Sequence, residues 1–270
     1  MGITVTNTNH DLHDMICFFI MFIAANIIFM AVSPRRFRDE RMVEPECLPY
    51  SLPSSKGTDT WDGITVADAG VDPSKISLLY SGCEIYPGHR DKEYADGRWT
   101  REHVWPRSRA PGMSTDRPGM GTDMHNLFAA DQSVNSARRN KHFARLPAGE
   151  PVVDSSPVGG SDGRLDAKTS PDAWEPPDDC KGIVARAAMY MACMYCDSLR
   201  LSEGTDSREP GELGNLSDLL DWNARFPPSA REIARNDAVE KLQGNRNPFV
   251  DDPGLAAAVR WDRAAVSGTL

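Results

Sequence analysis

The sequence predicts an α+β fold: a small two-stranded core embedded in a largely helical domain, with an apolar helix at the N-terminus. Three observations predict it. The middle of the chain has the pattern strand, long loop, strand and helix; the C-terminal third has helical patterns with recognisable caps; and residues 15–32 form an apolar run. At 270 residues the chain is long enough for one sizeable domain with its own core.

The apolar run at residues 15–32 contains eighteen residues without a charge, just long enough to cross a bilayer. Acidic residues, Asp11 and Asp14, precede it, which is atypical of a cleaved signal. Four arginines follow it, and their charge favours a cytoplasmic body: Arg35, Arg36, Arg38 and Arg41. We predict a transmembrane anchor or signal-like segment over residues 1–33, in a membrane-anchored or exported protein whose orientation stays open.

The rest of the chain divides into three stretches. Residues 34–74 are rich in Pro, Ser and Gly with little periodicity, which indicates a linker or loosely packed collar. Residues 75–262 contain the predicted strands and helices and form the main domain, and residues 263–270 are a tail. Within the main domain, residues 148–179 are dominated by Pro, Gly, Ser and Asp and are predicted to be a surface excursion.

The central elements follow from turn and cap residues. The run "DGRWTREHVWP" predicts a strand that begins after a turn at Asp96-Gly97 and ends at Pro106. The run "DMHNLFAA" (123–130) predicts a second short strand. Asp131 is a good N-cap for the helix that follows it.

Three helices are predicted in the C-terminal third. The run "CKGIVARAAMYMACMYCDSLRL" is apolar along most of its length and indicates a buried helix, in which Cys193 and Cys196 pack as small apolar side chains. "NLSDLLDWNARF" predicts a short helix. A third helix begins at a capping box of Ser229 and Glu232 and ends at Gly244.

The charge is distributed unevenly. The formal net charge of −9 argues against general binding to polyanions. Between residues 98 and 145, however, nine Lys or Arg against four acids leave a local net charge of +5. A basic island of this kind can guide a phosphate backbone to one place.

The stretch "TREHVWPRS" places a carboxylate, Glu102, beside an imidazole, His103. Neighbours on a regular strand point to opposite faces, so the pair is either a charged strand end or two groups that meet at a bend or a bound ion. A helix that carries Asn135 could fold over the same ion. Oxygen ligands suit Mg²⁺, with Ca²⁺ or Mn²⁺ as substitutes, and a neutral histidine suits a general base.

Four blocks, "REHVWP", "TDMHNLFAADQSVNSARRN", "KGIVARAAMYM" and "RNDAVEKLQGNRNPFV", resemble in that order the bacterial endonuclease I family. These are non-specific, often secreted or periplasmic nucleases of the ββα-metal (His-Me finger) superfamily. The resemblance implies a ββα-metal nuclease core in which His103 is the general base. It implies that Glu102 and Asn135 are the direct ligands of one Mg²⁺.

The resemblance also implies an arginine that stabilises the phosphate, between the base and the second strand. Arg107, Arg109 and Arg117 compete for that role, and we favour Arg109 as the catalytic one. The other phosphate-binding candidates are Arg101, Arg107, Arg138 and Asn140. Arg138 and Asn140 could equally brace the helix.

Other polar residues near the motif are interpreted as structural support. Asp123 orients a neighbouring side chain, and Asn126 belongs to the same brace. His125 is either a second catalytic imidazole or a hydrogen-bonded brace, and we favour the brace. His142 lies just past the motif and is expected on the surface.

We therefore predict a monomeric, metal-dependent endonuclease that hydrolyses DNA, RNA or both with little sequence specificity. Two alternatives stay open. One is a catalytically inactive, membrane-tethered protein of the same fold that binds nucleic acid or another partner. The other is a phosphodiesterase that acts on small molecules, which would not require the basic island.

Overall fold

The structure, a computed structural model, describes residues 31–53, 56–90, 98–147, 150–153 and 164–261. Almost all of the predicted anchor or signal-like segment (1–33) and the whole predicted tail (263–270) lie outside these residues. The described residues have a mixed α+β fold in which small sheets pack among helices, so the predicted class is confirmed. No helix in these ranges combines the length and the apolarity needed to span a membrane.

The helices of the described residues lie mostly in the C-terminal half. They are α1 (Pro34–Arg41), α2 (Thr60–Ala67), α3 (Gln132–Arg138), α4 (Asp178–Met194), α5 (Leu216–Arg225), α6 (Ala230–Gln243) and α7 (Pro248–Asp251). Short 3-10 helices occupy Pro87–His89, Arg107–Arg109, Met120–Thr122 and Pro253–Ala258.

The strands are short and form four small sheets. They are β1 (Ile76–Ser77), β2 (Glu84–Ile85), β3 (Trp99–His103), β4 (Leu127–Asp131), β5 (His142–Phe143), β6 (Glu150–Val153), β7 (Arg164–Thr169), β8 (Ala173–Glu175), β9 (Arg200–Leu201) and β10 (Glu212–Leu213). Strands β1 and β2 pair antiparallel, β3 and β4 antiparallel, and β9 and β10 parallel, while the fourth sheet has the order β5-β8-β7-β6.

A strand–strand–helix unit forms the centre of the chain, as predicted. Strand β3 pairs antiparallel with β4, with Trp99 opposite Asp131 and His103 opposite Leu127. Every residue of β4 is buried. The Asp131 side chain accepts hydrogen bonds from the backbone N–H of Ser133 (2.8 Å) and Val134 (3.2 Å), so α3 starts directly at the end of β4.

Helix α4 is the buried helix that the sequence predicts. Its side chains are buried along most of its length, and Val184, Ala188 and Cys193 have no exposed area. The small alanine side chains allow neighbouring helices to approach closely, and α4 contacts both α5 and α1. The N-terminal end of the described chain is fixed to this core, because Val32 exchanges backbone hydrogen bonds with Ala258 and Arg260.

Helix α6 begins and ends at the predicted residues. The Ser229 hydroxyl accepts a hydrogen bond from the Glu232 N–H (3.2 Å), and Gly244 ends the helix in the left-handed conformation, with a φ of 79°. The Glu232 carboxylate forms a buried two-point pair with Arg186 of α4, with both N–O distances at 2.6 Å. This pair attaches α6 to the central helix.

Residues 34–74, interpreted as a linker or loosely packed collar, contain α1 and α2 and pack on the domain. Asp59 and Asp62 form a capping box at the start of α2. Asp68, which follows α2, accepts hydrogen bonds from the Ala129 N–H and from Nε of Arg235, both at 2.6 Å. Helices of eight residues show little periodicity, so the apolar pattern did not indicate them.

The described part of residues 148–179 forms regular structure, whereas the sequence predicted a surface excursion there. Its described residues provide β6, β7, β8 and the start of α4. Trp174 on β8 has no exposed area and its ring packs against that of Tyr80, with centroids 5.7 Å apart. The composition rich in Pro and Gly predicted a loop, and the strands are too short to show an apolar alternation that would have indicated a sheet.

Candidate active site

A cavity of about 640 Å³ lies beside the strand–strand–helix unit. Glu102 and His103 at the end of β3 both line it, although they are neighbours in sequence, and Asn135 of α3 lines it as well. Glu102 is 2% exposed and His103 is 8% exposed, so both lie at the bottom of the opening. The structure therefore brings the three principal residues of the sequence prediction to one cavity.

Glu102 is held through one of its two carboxylate oxygens. Oε1 accepts a hydrogen bond from the Tyr80 hydroxyl at 2.7 Å and lies 3.5 Å from Nε of Arg138. Burial raises the pKa of Glu102 above its usual value, while the charge of Arg138 and the Tyr80 hydrogen bond oppose that rise. Among the described residues, no hydrogen bond engages Oε2.

His103 is fixed in one tautomer. Its Nε2 lies 2.8 Å from the carbonyl oxygen of Gly121, and because a carbonyl can only accept, Nε2 carries the proton. The unprotonated nitrogen of the neutral ring is therefore Nδ1. Burial, followed by the charge of Arg107, lowers the pKa of His103 to about 4, so the ring is neutral at pH 7. The ring of Tyr50 lies against it, with centroids 6.0 Å apart.

Asn135 of α3 contributes an amide to the lining of the cavity. Its side chain is partly buried, and it makes no hydrogen bond to the part of the chain that the structure describes. One carboxylate and one amide fit a hard cation such as Mg²⁺, which keeps several waters. Among the described residues, no three His, Cys, Asp or Glu side chains converge on a metal position.

Two of the predicted phosphate-binding arginines are engaged inside the protein. Arg101 lines the cavity, but its guanidinium packs 3.3 Å from the ring centroid of Tyr50 and donates to Thr60 Oγ1 at 2.9 Å. Burial lowers its pKa to about 10. Arg138 has no exposed area and donates to the Val104 carbonyl at 2.6 Å. Its position favours the second role considered for it, bracing the helix.

Arg109, the favoured catalytic arginine, does not line the cavity. It is 8% exposed and donates to the backbone carbonyls of Asn140 and Ser207. Arg107 is exposed and lines the cavity, whereas Arg117 does not line it. Arg107, predicted as a phosphate-binding residue, therefore lines the cavity, whereas Arg109, favoured as the catalytic arginine, does not.

Asn140 and one unpredicted residue complete the cavity wall. Asn140 is exposed, and its side-chain Nδ2 donates to Ser108 Oγ at 3.1 Å. Arg139, between Arg138 and Asn140, was not among the predicted site residues, yet it is exposed and lines the cavity. The sequence indicated Arg139 only through the tandem arginines of "SARRN". Which of the two arginines faces the opening is shown by the fold.

The three predicted support residues are buried, and each makes hydrogen bonds inside the protein. Asp123 is fully buried and accepts hydrogen bonds from the hydroxyls of Tyr190 and Tyr195, each at 2.8 Å. Asn126 holds Trp105 with two hydrogen bonds between its side chain and the Trp105 backbone. His125 donates from Nε2 to the Asn245 carbonyl at 3.2 Å, and burial lowers its pKa to about 4.

The expectation that His142 lies on the surface is wrong. Its side chain has no exposed area, its Nδ1 accepts from the Gly214 N–H at 2.9 Å, and its Nε2 donates to the Ser207 carbonyl at 3.0 Å. Both partners lie more than sixty residues further along the chain. Local sequence therefore could not indicate the burial.

A neutral histidine and a buried carboxylate that share a cationic cavity on a strand–strand–helix unit make the arrangement expected of a nuclease. The chain belongs to the endonuclease I family, whose model, described as Endonuclease I, matches residues 58–254. The resemblance recognised in the sequence is thereby confirmed.

Relatives with curated descriptions act on both nucleic acids. The chain is 36% identical over 209 residues to an extracellular ribonuclease of Bacillus subtilis (strain 168), covering 74% of this chain and 66% of the relative. It is 29% identical over 191 residues to an extracellular deoxyribonuclease of Aeromonas hydrophila, covering 66% and 74%. A periplasmic deoxyribonuclease of the same organism is 33% identical over 140 residues, 52% of each chain. The chain thus spans just under two thirds of the length of the Bacillus ribonuclease.

Proposed function

We propose that this protein is a metal-dependent endonuclease that hydrolyses phosphodiester bonds of DNA, RNA or both with little sequence specificity. The observation that carries the proposal is the His103–Gly121 hydrogen bond, which presents a neutral imidazole at the wall of a cavity shared with Glu102 and Asn135. Relatives named as ribonucleases and as deoxyribonucleases support both substrate classes.

In the proposed reaction, Nδ1 of His103 takes a proton from a water molecule. The oxygen of that water forms a bond to phosphorus as the bond from phosphorus to the 3′ oxygen breaks, and the 3′ oxygen gains a proton from solvent. The products are a 5′-phosphate and a 3′-hydroxyl. Glu102 and Asn135 would hold a Mg²⁺, which when bound stabilises the negative charge that develops around the phosphate.

Arg107 is the proposed phosphate contact. Its side chain is exposed at the cavity, and among the described residues it makes no hydrogen bond or ion pair, so its five N–H donors are available to phosphate oxygens. Contacts of this kind read the backbone and carry no sequence information. Low sequence specificity follows.

A catalytically inactive, membrane-tethered protein of the same fold is the alternative. Burial of the His103 imidazole and the Glu102 carboxylate costs both groups favourable hydration. In a protein without catalytic activity, no function would offset this cost. The relatives named as extracellular or periplasmic support an exported protein. We propose that it acts as a monomer, whether released or held by a membrane anchor.

A nicking assay on supercoiled plasmid, with folded RNA in parallel, tests the proposal. We expect cleavage with Mg²⁺, and with Ca²⁺ or Mn²⁺ to differing extents, but none with EDTA. The variant His103→Ala should lose at least about 10²-fold in rate, the range of a general base. The variant His89→Ala, at an exposed position outside the cavity, is the matched control. Equal cleavage by wild type and His103→Ala would reject the mechanism.

A further inference from the structure

Two arginine side chains at the cavity are free of partners within the described residues: Arg107 and Arg139. Each is exposed, lines the cavity and makes no hydrogen bond or ion pair through its guanidinium. The other three arginines of this region, Arg101, Arg109 and Arg138, donate to protein oxygens. Arg107 has a role in the proposed reaction, whereas Arg139 has none.

The backbone of Arg139 has an unusual conformation. Its φ is +56° and its ψ is −129°, and it is the one non-glycine residue with positive φ in the described chain. It follows α3 directly, and its N–H donates to the Asn135 carbonyl at 3.0 Å. Glycine adopts this conformation without the steric cost that a Cβ atom brings. An arginine that is strained here and unpaired indicates a function for its side chain.

Two hydrogen bonds hold the segment that carries Arg139 against the segment that carries Arg107. Nδ2 of Asn140 donates to Ser108 Oγ at 3.1 Å, and Nε of Arg109 donates to the Asn140 carbonyl. The first bond joins the immediate neighbours of the two free arginines, and the second joins Asn140 to a residue two positions after Arg107. The two cations therefore lie on connected parts of one wall.

We propose that Arg139 binds a second phosphate of the substrate, next to the phosphate that is cleaved. The inference rests on the proposed nuclease function and adds to it a contact beyond the cleaved phosphate, which an ester with a single phosphate does not offer. The cavity of about 640 Å³ lies in the range that encloses a drug-sized ligand, so it accommodates more than one phosphate group. The neighbouring phosphate supplies the negative charge that a free guanidinium binds.

Two variants separate binding from backbone strain. Arg139→Gly removes the charge and suits the positive φ, while Arg139→Lys keeps the charge and the strain. We expect Arg139→Gly to melt at a higher temperature than wild type, and to raise the KM for a long polynucleotide several-fold with a smaller change in kcat. Arg139→Lys should recover most of the KM. In a His103→Ala background, Arg139→Gly should flatten the slope of log Kd against log KCl concentration, for a labelled oligonucleotide, by about one.

Three results would overturn the inference. Arg139→Gly could leave KM and the salt slope unchanged, which would exclude a phosphate contact. It could melt at a lower temperature, which would show that the side chain has a structural partner. Arg139→Lys could match Arg139→Gly in KM, which would exclude a role for the charge. If wild type cleaves neither DNA nor RNA, the proposed function fails, whereas the slope of log Kd still tests Arg139 by itself.

Discussion

The hydroxyl of Tyr80 donates a 2.7 Å hydrogen bond to Oε1 of Glu102 in the buried floor of the cavity. Tyr80 precedes the predicted strand by about twenty residues and belongs to none of the motif blocks. The bond fixes the orientation of the carboxylate and leaves Oε2 without a protein donor among the described residues. Tyr80 is therefore a positioning residue for the proposed metal ligand.

Replacing Tyr80 by Phe removes this donor with little change in shape. We expect the Mg²⁺ concentration for half-maximal cleavage to rise about ten- to hundred-fold, the usual effect of losing a partner of a metal ligand. Saturating Mg²⁺ should recover most of the rate. Tyr86→Phe, at an exposed tyrosine, is the control. An unchanged Mg²⁺ titration would remove Tyr80 from the site.

Arg107 and Arg109 should respond in opposite ways to alanine. Arg107→Ala should lower kcat/KM about 10²-fold without a change in stability, because its side chain is exposed and makes no hydrogen bond or ion pair with the described residues. Arg109→Ala should lower the free energy of unfolding by about 1–3 kcal/mol, because the two hydrogen bonds from its guanidinium to the backbone carbonyls of Asn140 and Ser207 are lost. Urea unfolding and steady-state kinetics on both variants measure this, and the reverse pattern would restore Arg109 as the catalytic arginine.

Asp123 should be the most sensitive support residue. Its carboxylate accepts hydrogen bonds from the hydroxyls of Tyr190 and Tyr195 and from Nε2 of Gln243. Tyr190 lies on α4, Tyr195 directly follows α4, and Gln243 lies on α6, so these bonds join the segment before β4 to both helices. Asp123→Ala leaves these buried donors unpaired, and we expect a loss of about 3–5 kcal/mol in the free energy of unfolding. Asp116→Ala, at an exposed position, should cost less than about 0.5 kcal/mol. Similar losses in the two variants would contradict this role.

Protonation of His125 should lower the free energy of unfolding as the pH falls. Burial lowers its folded pKa to about 4, below the usual value of 6.5, so the unfolded chain binds the proton first. Its contribution to stability is complete above about pH 6.5 and is lost as the pH falls toward 4, amounting to about 2 kcal/mol between pH 7 and pH 5.

The variant His125→Gln, followed by urea unfolding at both pH values, checks this pH dependence. It should lose about 2 kcal/mol less than wild type on acidification. His89→Gln, at an exposed histidine, should follow wild type. An identical acid loss in His125→Gln and wild type would show that the imidazole does not titrate in this range.

The sequence predicted the elements whose signals are local. Asp131, Ser229 and Gly244 act as caps through neighbours within a few residues, so the starts of α3 and α6 and the end of α6 were readable. The strands β3 and β4 were predicted from the turn and proline residues around them, and their place in one unit from the resemblance to the family. Helix α2 and strand β8 were missed because short elements do not repeat an apolar pattern often enough to be recognised.

In the candidate site, the sequence predicted which residues line the cavity better than it predicted their hydrogen-bond partners. Glu102, His103 and Asn135 share a cavity as expected, because one supersecondary unit carries them. Arg109 binds a carbonyl of Ser207, 98 residues away, and such a partner is invisible in a local pattern. The positive φ of Arg139 was equally unreadable, because arginine is not a residue that signals a left-handed turn.

Tyr50 lies eight residues before the stretch that the family model matches, yet its ring packs on His103 and Arg101. A polypeptide trimmed to residues 58–254 would retain Glu102, His103 and Asn135 while uncovering the imidazole to bulk water. Its ring would then titrate closer to an ordinary histidine, and Arg101 would lose its contact with Tyr50 while it keeps those with Thr60 and Trp61. Such a trimmed enzyme would have an altered acid limb in its pH profile, so the stretch that the family model matches is shorter than the catalytic unit.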